Sequence, residues 1–462
     1  MNRFIKKFLF GILAVCILSF SACAGGKMPI SDNTQNSGSA DNDSAQTTPN
    51  SDGVIEMPQS TAFENVPTGA QKWIDKAADS AETLMSYSEI QALNKSMREK
   101  CNALTDIEKH SLSMSASKIE SLIEDSSGPS LPKYDEKGKA ISQAAFNEIK
   151  SNRNLNALYN ASGEITLKRA VTVQRTDIRA LPTSVEFYNN SDKQDHDRMQ
   201  ESELSAASAV LILHTSTDGK FYFIQSYYYA GWVSAQSVAI ATDSTTESWT
   251  TYAKLLNMSE NATKDMSFAV ITDSQLNLGG VKLDMGTALP LAKDQSKAAN
   301  NTYRVVLPAR EADGTLKCIE ADISSSSACI GFAEYSLRNF YIQAFKYAGT
   351  PYGWGGMHGN VDCSSYVLSV FKTFGFVFPR NTSQQNKVVG SVVNAEGKSL
   401  AEKISVLSSA DAPVVIYISG HAMIYLGEIN DIHYIIHAPG GRFVCEEPYD
   451  GISSVIRICE VG

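Results

Sequence analysis

Zinc-binding patterns are absent from this sequence. No Cys-x-x-Cys and no His-Glu-x-x-His arrangement occurs in its 462 residues, and zinc ligands in proteins usually recur at such spacings. Basic residues are outnumbered as well, with 40 Lys and Arg against 50 Asp and Glu and a net charge of −10. Nothing resembles the basic stripe that neutralises phosphates. We therefore expect no metal site, no cofactor and no nucleic-acid partner.

The N-terminal apolar run, Phe8 to Phe20, is too short to span a bilayer comfortably. It follows positively charged residues and ends in small residues before Cys23, in the sequence Ser19-Phe20-Ser21-Ala22-Cys23. This arrangement resembles a bacterial lipoprotein signal. We expect residues 1–22 to be removed and Cys23 to carry a lipid that anchors the exported protein to the cell envelope, at the periplasmic face or the cell surface. Ordinary secretion, with cleavage near Ala24, is the alternative.

Cysteines are too few for a disulfide-dense exported protein. Cys318 with Cys329, or Cys445 with Cys459, could close short loops, and buried free thiols are an equal alternative. Spacing alone cannot assign pairs among the six cysteines that follow Cys23, which are Cys101, Cys318, Cys329, Cys363, Cys445 and Cys459.

Changes in composition and periodicity divide the rest of the chain into five parts. Residues 23–59 are rich in Ser, Asn, Asp, Thr and Gln, which predicts a disordered tether. Residues 60–163 have a helical pattern, with apolar residues such as Trp73, Leu84 and Ile90. Residues 164–243 alternate with a period of two and contain the hairpin signal Asp218-Gly219, which indicates a small bacterial SH3-like barrel. Residues 244–330 predict a second such barrel on weaker signals, and residues 331–462 form the C-terminal domain.

The C-terminal domain is predicted to be α+β. Helices are expected from Leu337 to Tyr347 and from Cys363 to Phe374. Three strands follow, from Pro413 to Tyr417, His421 to Leu426 and His433 to His437. Helices followed by an antiparallel sheet are typical of an α+β catalytic domain.

Cys363 is the candidate nucleophile. It stands in Asp362-Cys363-Ser364, between a glycine-rich run that ends at Gly356 and an apolar run that predicts a helix. A cysteine in the first turn of a helix can be held as a thiolate by the helix dipole and the free backbone N–H groups. The alternative, an inert cysteine in an apolar helix, does not explain the polar residues on either side of it.

Two histidines lie at suitable places to activate Cys363. His421 begins a predicted strand and is the candidate base, while His437, at the end of the next strand, is the candidate for orienting it. His433 competes with His437, because it lies four residues earlier on the same strand face. We interpret His358, in the glycine-rich loop, as a surface residue.

These motifs resemble those of the NlpC-type (NlpC/p-sixty) cell-wall cysteine peptidases. The resemblance rests on Tyr352-Gly353-Trp354-Gly355-Gly356, on Asp362-Cys363-Ser364, and on Gly420-His421 and His437-Ala438. The full layout resembles a subgroup with a helical N-terminal segment, two SH3-like domains and a C-terminal papain-like peptidase. The resemblance covers roughly residues 60 to 462.

The resemblance implies hydrolysis of the bond between γ-D-glutamate and an L-diamino acid in peptidoglycan stem peptides. By this analogy Cys363 attacks the γ-glutamyl carbonyl, His421 is the base and His437 orients it. The Tyr352 hydroxyl and the Cys363 backbone N–H would then stabilise the developing oxyanion.

The same subgroup implies a specificity for peptides with a free N-terminal L-Ala, because its first SH3-like domain closes one end of the cleft. A substrate ammonium needs carboxylates and hydroxyls. The implied binding residues are Asp362, Ser364, Tyr229, Glu201 and Thr382. Glu203 is the alternative to Glu201 in this set, and Asp362 could also serve as a helix cap.

Two other functions remain open at this stage. One is an amidase or acyltransferase built on the same papain-like core. The other is a non-catalytic, wall-binding SH3-like lipoprotein, which the joint presence of Cys363, His421 and His437 argues against. Ser365 departs from the family, which commonly has Gly at that position. The leading interpretation is a lipid-anchored endopeptidase that acts on murein peptides in cell-wall turnover or recycling.

Overall fold

The structure is a computed structural model that describes residues 13–16, 57–77, 79–159, 163–192, 196–257, 267–440 and 457–460. Cys23, Cys445 and nearly all of the predicted tether lie outside these residues, so the lipid anchor and the tether stay predictions. In the described ranges, no helix combines the length and the apolar character needed to traverse a bilayer. Strand β1, Leu13–Cys16, lies within the predicted signal and joins the sheet of the C-terminal domain.

The N-terminal unit consists mainly of short helices, as the sequence predicts. Leu84 is an exception, because it lies in a short strand that pairs with Tyr335 and Ser336. The elements are helices Ala70–Lys76 (α1), Tyr87–Lys100 (α2), Ala116–Asp125 (α3), Gln143–Ser151 (α4) and Leu155–Tyr159 (α5), with strands Thr83–Met85 (β2) and Ser113–Ser115 (β3).

This helical unit packs against the C-terminal domain. The buried Asn94 side chain on α2 donates to the carbonyl of Gly375 at 2.8 Å and accepts from the N–H of Val377 at 2.9 Å. The buried ring of Trp73 contacts the edge of the Tyr434 ring, with 5.6 Å between centroids. A buried amide that binds both a donor and an acceptor of another unit fixes their relative position.

The next unit is a seven-stranded antiparallel sheet in the order β11-β5-β8-β9-β10-β6-β7. Gly219, with φ of +69°, makes the predicted turn between β8 and β9. Trp232 is fully buried and packs edge-on against Phe223. The strands are Glu164–Thr166 (β4, paired with β3), Lys168–Thr172 (β5), Thr176–Arg179 (β6), Gln200–Leu204 (β7), Ala209–Thr215 (β8), Phe221–Gln225 (β9), Ala230–Ser234 (β10) and Val238–Ile240 (β11).

A helix that the sequence analysis did not predict, Thr246–Asn257 (α6), joins this sheet to the next unit. The Trp249 indole N–H donates to the carbonyl of Ala170 at 3.1 Å, and the Tyr252 hydroxyl donates to that of Val306 at 3.1 Å. The helix therefore contacts the units on both sides of it.

The second strand-rich unit has three small sheets, β15-β12-β18, β13-β14 and β16-β17. Its interpretation as a second SH3-like barrel stays a prediction. Its strands are Phe268–Ile271 (β12), Gln275–Leu278 (β13), Val281–Asp284 (β14), Ala288–Pro290 (β15), Thr302–Arg310 (β16), Leu316–Ser324 (β17) and Ala328–Ile330 (β18).

The C-terminal domain is α+β, and its two predicted helices and three predicted strands are confirmed. Its sheet has the order β20-β1-β21-β22-β23-β24, and β21 to β24 form successive antiparallel pairs. The elements are Tyr335–Ser336 (β19), Leu337–Phe345 (α7), Cys363–Lys372 (α8), Thr382–Val388 (α9), Ser391–Asn394 (β20), Leu400–Ser408 (α10), Val414–Ile418 (β21), His421–Ile429 (β22), Ile432–His437 (β23) and Arg457–Glu460 (β24).

Three units meet at the glycine-rich loop, Trp354–Gly359. Arg175, from the seven-stranded sheet, donates to the carbonyls of Gly356 at 2.8 Å and Asn360 at 3.0 Å. Its Nε lies 3.1 Å from the carboxylate of Asp284, in the second strand-rich unit. One largely buried guanidinium thus connects its own unit to the loop of the C-terminal domain and to the second strand-rich unit.

The described cysteines whose side chains are placed, Cys101, Cys318, Cys329 and Cys363, are all free thiols. The Cys318–Cys329 disulfide that the sequence left open is therefore not formed.

Candidate active site

Cys363 is the first residue of helix α8, and Asp362 caps that helix. An Asp362 Oδ1 accepts from the Ser365 N–H at 2.9 Å, and the Asp362 N–H donates to Ser365 Oγ at 2.9 Å. Ser365 thereby completes a capping box, a function that Gly could not perform. The first turn of a helix leaves backbone N–H groups without intrahelical partners, and the N–H of Cys363 is among them.

The two predicted histidines lie together beside the thiol. His421 Nε2 and His437 Nδ1 are 2.8 Å apart, and both rings are buried. Gly420 makes the tight turn before His421 with φ of +74°, and its carbonyl oxygen is 4.0 Å from the Cys363 Sγ. Because Nε2 is engaged by His437, Nδ1 is the His421 nitrogen that can take the thiol proton.

Burial sets the protonation states of this pair. Burial, reinforced by the negative charge of Asp362, raises the pKa of the Cys363 thiol to about 11. Burial lowers the pKa of His421 to about 4, although Asp362 acts in the opposite direction. Both shifts favour a neutral thiol and a neutral imidazole at neutral pH. Desolvation thus opposes the thiolate that the helix N-terminus would favour.

Arg380 holds the Asp362 carboxylate from the other side. Arg380 Nη1 and Nη2 lie 3.1 Å from Oδ1 and 2.7 Å from Oδ2, and Oδ2 also accepts from the Gly355 N–H at 3.2 Å. Oδ1 accepts further from Ser364 Oγ at 3.2 Å and from the Ser365 N–H. Burial raises the pKa of Asp362, but the charge and hydrogen bonds of Arg380, together with those of Ser365, outweigh burial and hold the pKa below its ordinary value.

These contacts bear on the expectation that Asp362 and Ser364 bind a substrate ammonium. A carboxylate offers about four lone-pair sites, and donors of the protein already occupy both oxygens of Asp362. Ser364 Oγ donates to Asp362 and accepts from Arg380 Nη1 at 2.9 Å. The geometry therefore makes Asp362 a cap and an ion-pair partner.

Tyr229 and Glu201 form a pair at the edge of the site, contributed by the seven-stranded sheet. The Tyr229 hydroxyl donates to Glu201 Oε2 at 2.6 Å, and both side chains are partly exposed. Tyr229 also hydrogen-bonds the Asn381 side chain, and the next residue, Thr382, places its Oγ1 3.9 Å from the Cys363 Sγ. Thr382 therefore contacts the nucleophile, and Tyr229 and Glu201 are connected to it through Asn381.

Glu203, the alternative to Glu201, has another partner. Its Oε2 accepts from Arg380 Nη2 at 2.8 Å, and the neighbouring Ser202 Oγ accepts from Arg380 Nε at 2.9 Å. Both residues are buried. Glu201 is therefore the carboxylate that can still reach a ligand.

Tyr352 lies at the rim of the site. A Cβ added to Gly440, three residues after His437, would come within 3.1 Å of the Tyr352 ring. The ring centroid of His196 is 4.8 Å from Trp354 and 6.0 Å from Tyr352, although the sequence suggested no role for His196. Participation of Tyr352 in oxyanion binding stays a prediction.

The remaining histidine interpretations are also decided by contacts. His433 Nδ1 is 2.7 Å from the Tyr425 hydroxyl, so His437 and not His433 partners His421. His358 is exposed, as expected, with φ of +58°. Within the described part of the chain, no three His, Cys, Asp or Glu side chains converge to hold a metal ion.

The roles of Arg380 and Arg175 were not predicted from the sequence. Arg380 stands in the stretch Pro379-Arg380-Asn381-Thr382, but no local pattern marks an arginine as buried. Its partner Glu203 is 177 residues away in the chain. The available signal was indirect, since a capping carboxylate buried beside a thiol needs a cation.

Comparisons with known proteins agree with this architecture. Residues 349–454 match the NlpC/P60 family, and residues 186–234 match the SH3 domain of the SH3b1 type. The fold is similar to that of an NlpC/P60 endopeptidase from Photobacterium damselae subsp. piscicida, with a TM-score of 0.64 and 21% identity over 88% of this chain and 92% of that chain. An NlpC/P60 family protein from Bacillus cereus matches with a TM-score of 0.40 and 12% identity, over 63% of this chain and 94% of that one. No curated protein gave a significant match.

Proposed function

We propose that this protein, whose residues 349–454 match the NlpC/P60 family, is a cysteine peptidase that cleaves the bond between γ-D-glutamate and an L-diamino acid in peptidoglycan stem peptides. We propose further that it requires a free N-terminal L-Ala and acts at the cell envelope, where a lipid on Cys23 anchors it. The role fits the turnover or recycling of murein peptides.

The observation that carries the L-Ala requirement is the Glu201–Tyr229 pair beside the nucleophile. A partly exposed carboxylate and phenol that share a 2.6 Å hydrogen bond suit a cationic group. Tyr229 contacts Asn381, and the adjacent Thr382 contacts the thiol. A short peptide can therefore place its ammonium at the pair and its γ-glutamyl carbonyl at Cys363.

The catalytic step follows from the neutral pair of Cys363 and His421. As Sγ attacks the carbonyl carbon, the thiol proton moves to His421 Nδ1, and the imidazolium N–H at Nε2 is stabilised by His437. The carbonyl π electrons move onto oxygen, which the Cys363 N–H and the Tyr352 hydroxyl stabilise. His421 then protonates the leaving amine, and water hydrolyses the thioester.

Asp362 and Ser364 support this step through position. With its oxygens occupied by Arg380 and backbone donors, Asp362 fixes the start of helix α8 and hence the Cys363 N–H. We therefore assign the ammonium to Glu201 and Tyr229, with Thr382 beside the reacting carbonyl.

The test compares L-Ala-γ-D-Glu-diaminopimelate with its N-acetylated form. We expect the wild-type chain to cleave the free peptide at least about tenfold faster, since a hydrogen-bonded charge contributes about 1.5–3 kcal/mol. Glu201→Gln should raise KM for the free peptide and so reduce the difference in cleavage rate between the free and the acetylated peptide. Cys363→Ala should abolish both reactions.

Equal rates on the two peptides would contradict the L-Ala requirement, and cleavage by Cys363→Ala would contradict the mechanism. Membrane fractionation of a Cys23→Ser chain tests the anchor. An unchanged distribution would remove that part of the proposal.

A further inference from the structure

We infer that Glu203, on strand β7 of the seven-stranded sheet, is a positioning residue of the peptidase site. It acts through Arg380 on Asp362, which caps the helix that carries Cys363. The kinetic test of this inference rests on the proposed function, because it uses the stem peptide. The alkylation test needs no substrate.

Arg380 joins the two units with its whole guanidinium group. On one side, Nε donates to Ser202 Oγ at 2.9 Å and Nη2 to Glu203 Oε2 at 2.8 Å. On the other side, Nη1 and Nη2 donate to the two carboxylate oxygens of Asp362, and Nη1 also donates to Ser364 Oγ. The Arg380 side chain is only 2% exposed, so water cannot replace a lost partner.

This geometry makes the position of Asp362 dependent on Glu203. A guanidinium is a rigid planar fork, so partners on one edge fix the direction in which the other edge points. Ser202 and Glu203 hold the Nε and Nη2 edge, and Nη1 is thereby directed at Asp362 and Ser364. Without Glu203, Asp362 is the one carboxylate partner left to Arg380 and only the Ser202 hydroxyl still holds the Nε edge, so the cap of helix α8 loses part of its support.

Strand β7, which carries Glu203, packs closely against the glycine-rich loop. A Cβ added to Gly356 would lie 2.5 Å from Glu203 Oε2, and one added to Gly355 would lie 2.9 Å from Gln200 Cγ. Glycine at these positions lets strand β7 approach closely enough for Glu203 to reach Arg380. The contact is therefore built by both units.

Glu201 and Glu203 lie two residues apart on β7 and so share a face of the strand, yet they contact different groups. Glu201 binds the Tyr229 hydroxyl and is partly exposed, whereas Glu203 is buried and binds Arg380. The same strand thus contributes one carboxylate for the substrate and one for the nucleophile helix. Glu201→Gln is accordingly a matched comparison for Glu203→Gln, with the same chemical change on the same strand.

The experiment measures kcat and KM of both full-length variants on the free stem peptide. We expect Glu203→Gln to lower kcat about tenfold with KM nearly unchanged, the effect of losing one charged hydrogen bond. Glu201→Gln should do the reverse and act on KM. An unchanged kcat in Glu203→Gln, or a loss confined to KM, would overturn the inference.

A double-mutant cycle tests whether Glu203 acts through Arg380. In the background of Arg380→Gln, or of Arg380→Lys if the former does not fold, Glu203→Gln should lower kcat no further. If the two substitutions lower kcat independently, so that their fold-losses multiply in the double variant, Glu203 does not act through Arg380.

A second readout separates this inference from the proposed substrate. The rate of Cys363 alkylation by iodoacetamide should change several-fold in Glu203→Gln and little in Glu201→Gln. If the wild-type chain does not cleave the stem peptide but the alkylation rates differ in this way, the proposed function fails and the positioning role stands. Identical alkylation rates in both variants would overturn the positioning role.

Discussion

At the scale of single residues, burial is the largest influence on the pKa values of the two reacting side chains. Cys363 and His421 are both buried, and desolvation moves their pKa values apart, to about 11 and about 4. The resting pair is therefore neutral between these limits. Proton transfer accompanies attack, and His437 serves to stabilise the imidazolium that forms.

The first prediction concerns pH dependence. Alkylation of Cys363 by iodoacetamide should accelerate about tenfold per pH unit through the neutral range, because the thiolate fraction rises until the pKa near 11. A stable thiolate–imidazolium pair would instead give a plateau between about pH 5 and 8. Subtraction of the Cys363→Ala chain removes the contribution of the other thiols.

The same shifts predict the acid limb of hydrolysis. The base must be neutral, so activity is lost as pH falls through the pKa of His421, and this pKa is lowered to about 4. The kcat/KM value should persist well below pH 6. An acid limb of kcat/KM with its midpoint at the ordinary histidine pKa of about 6.5 would contradict this prediction.

At the scale of elements, the glycine-rich loop is shaped by its contact with strand β7. Gly355 and Gly356 have φ of +55° and +89°, values that favour glycine. Any side chain at Gly356 would also collide with the Glu203 carboxylate. The loop is thus fitted to a neighbouring unit as well as to its own turn.

Alanine substitutions at two glycines separate the requirement for a positive φ from the requirement for space beside strand β7. Gly280 has φ of +88° and no neighbour within 4 Å of an added Cβ, whereas Gly356 has φ of +89° and lies against Glu203. Both variants should lose about 1–3 kcal/mol of unfolding free energy from backbone strain. Only Gly356→Ala should also lower kcat, by about tenfold, since it displaces Glu203 from Arg380. Equal kcat values in the two variants would argue against the contact.

At the scale of the whole molecule, buried ion pairs hold the units together at the active site. Arg175 connects the seven-stranded sheet to the glycine-rich loop and to Asp284 of the second strand-rich unit. The side chains of Arg175 and Asp284 are 9% and 15% exposed. Removing one partner leaves a charge in a poorly solvated place, which is costly.

Arg175→Gln should therefore lower the free energy of unfolding by about 3 kcal/mol or more. Arg153→Gln is the control, because its partner Glu124 is 53% exposed, and it should cost less than about 1 kcal/mol. Urea unfolding of the full-length chains measures both. Similar losses in the two variants would show that the interface does not depend on the buried pair.

Part of this protein could be predicted from local sequence. The helix at Cys363, the strands at His421 and His437, and the hairpin at Asp218-Gly219 all follow from periodicity and turn chemistry. Helix α6 had a readable signal too, with Trp249, Ala253 and Leu256 at helical spacing, but strand-rich neighbours concealed it.

The sequence by itself determined which residues can react, because a cysteine after a glycine-rich loop and two histidines on adjacent strands are local patterns. Only the tertiary structure decided their protonation, since burial depends on neighbours distant in the chain. It likewise decided that Glu201 binds Tyr229 and stays partly exposed while Glu203 is buried against Arg380. Two glutamates on one strand have the same local signal, and only the surface packed against each of them makes them different.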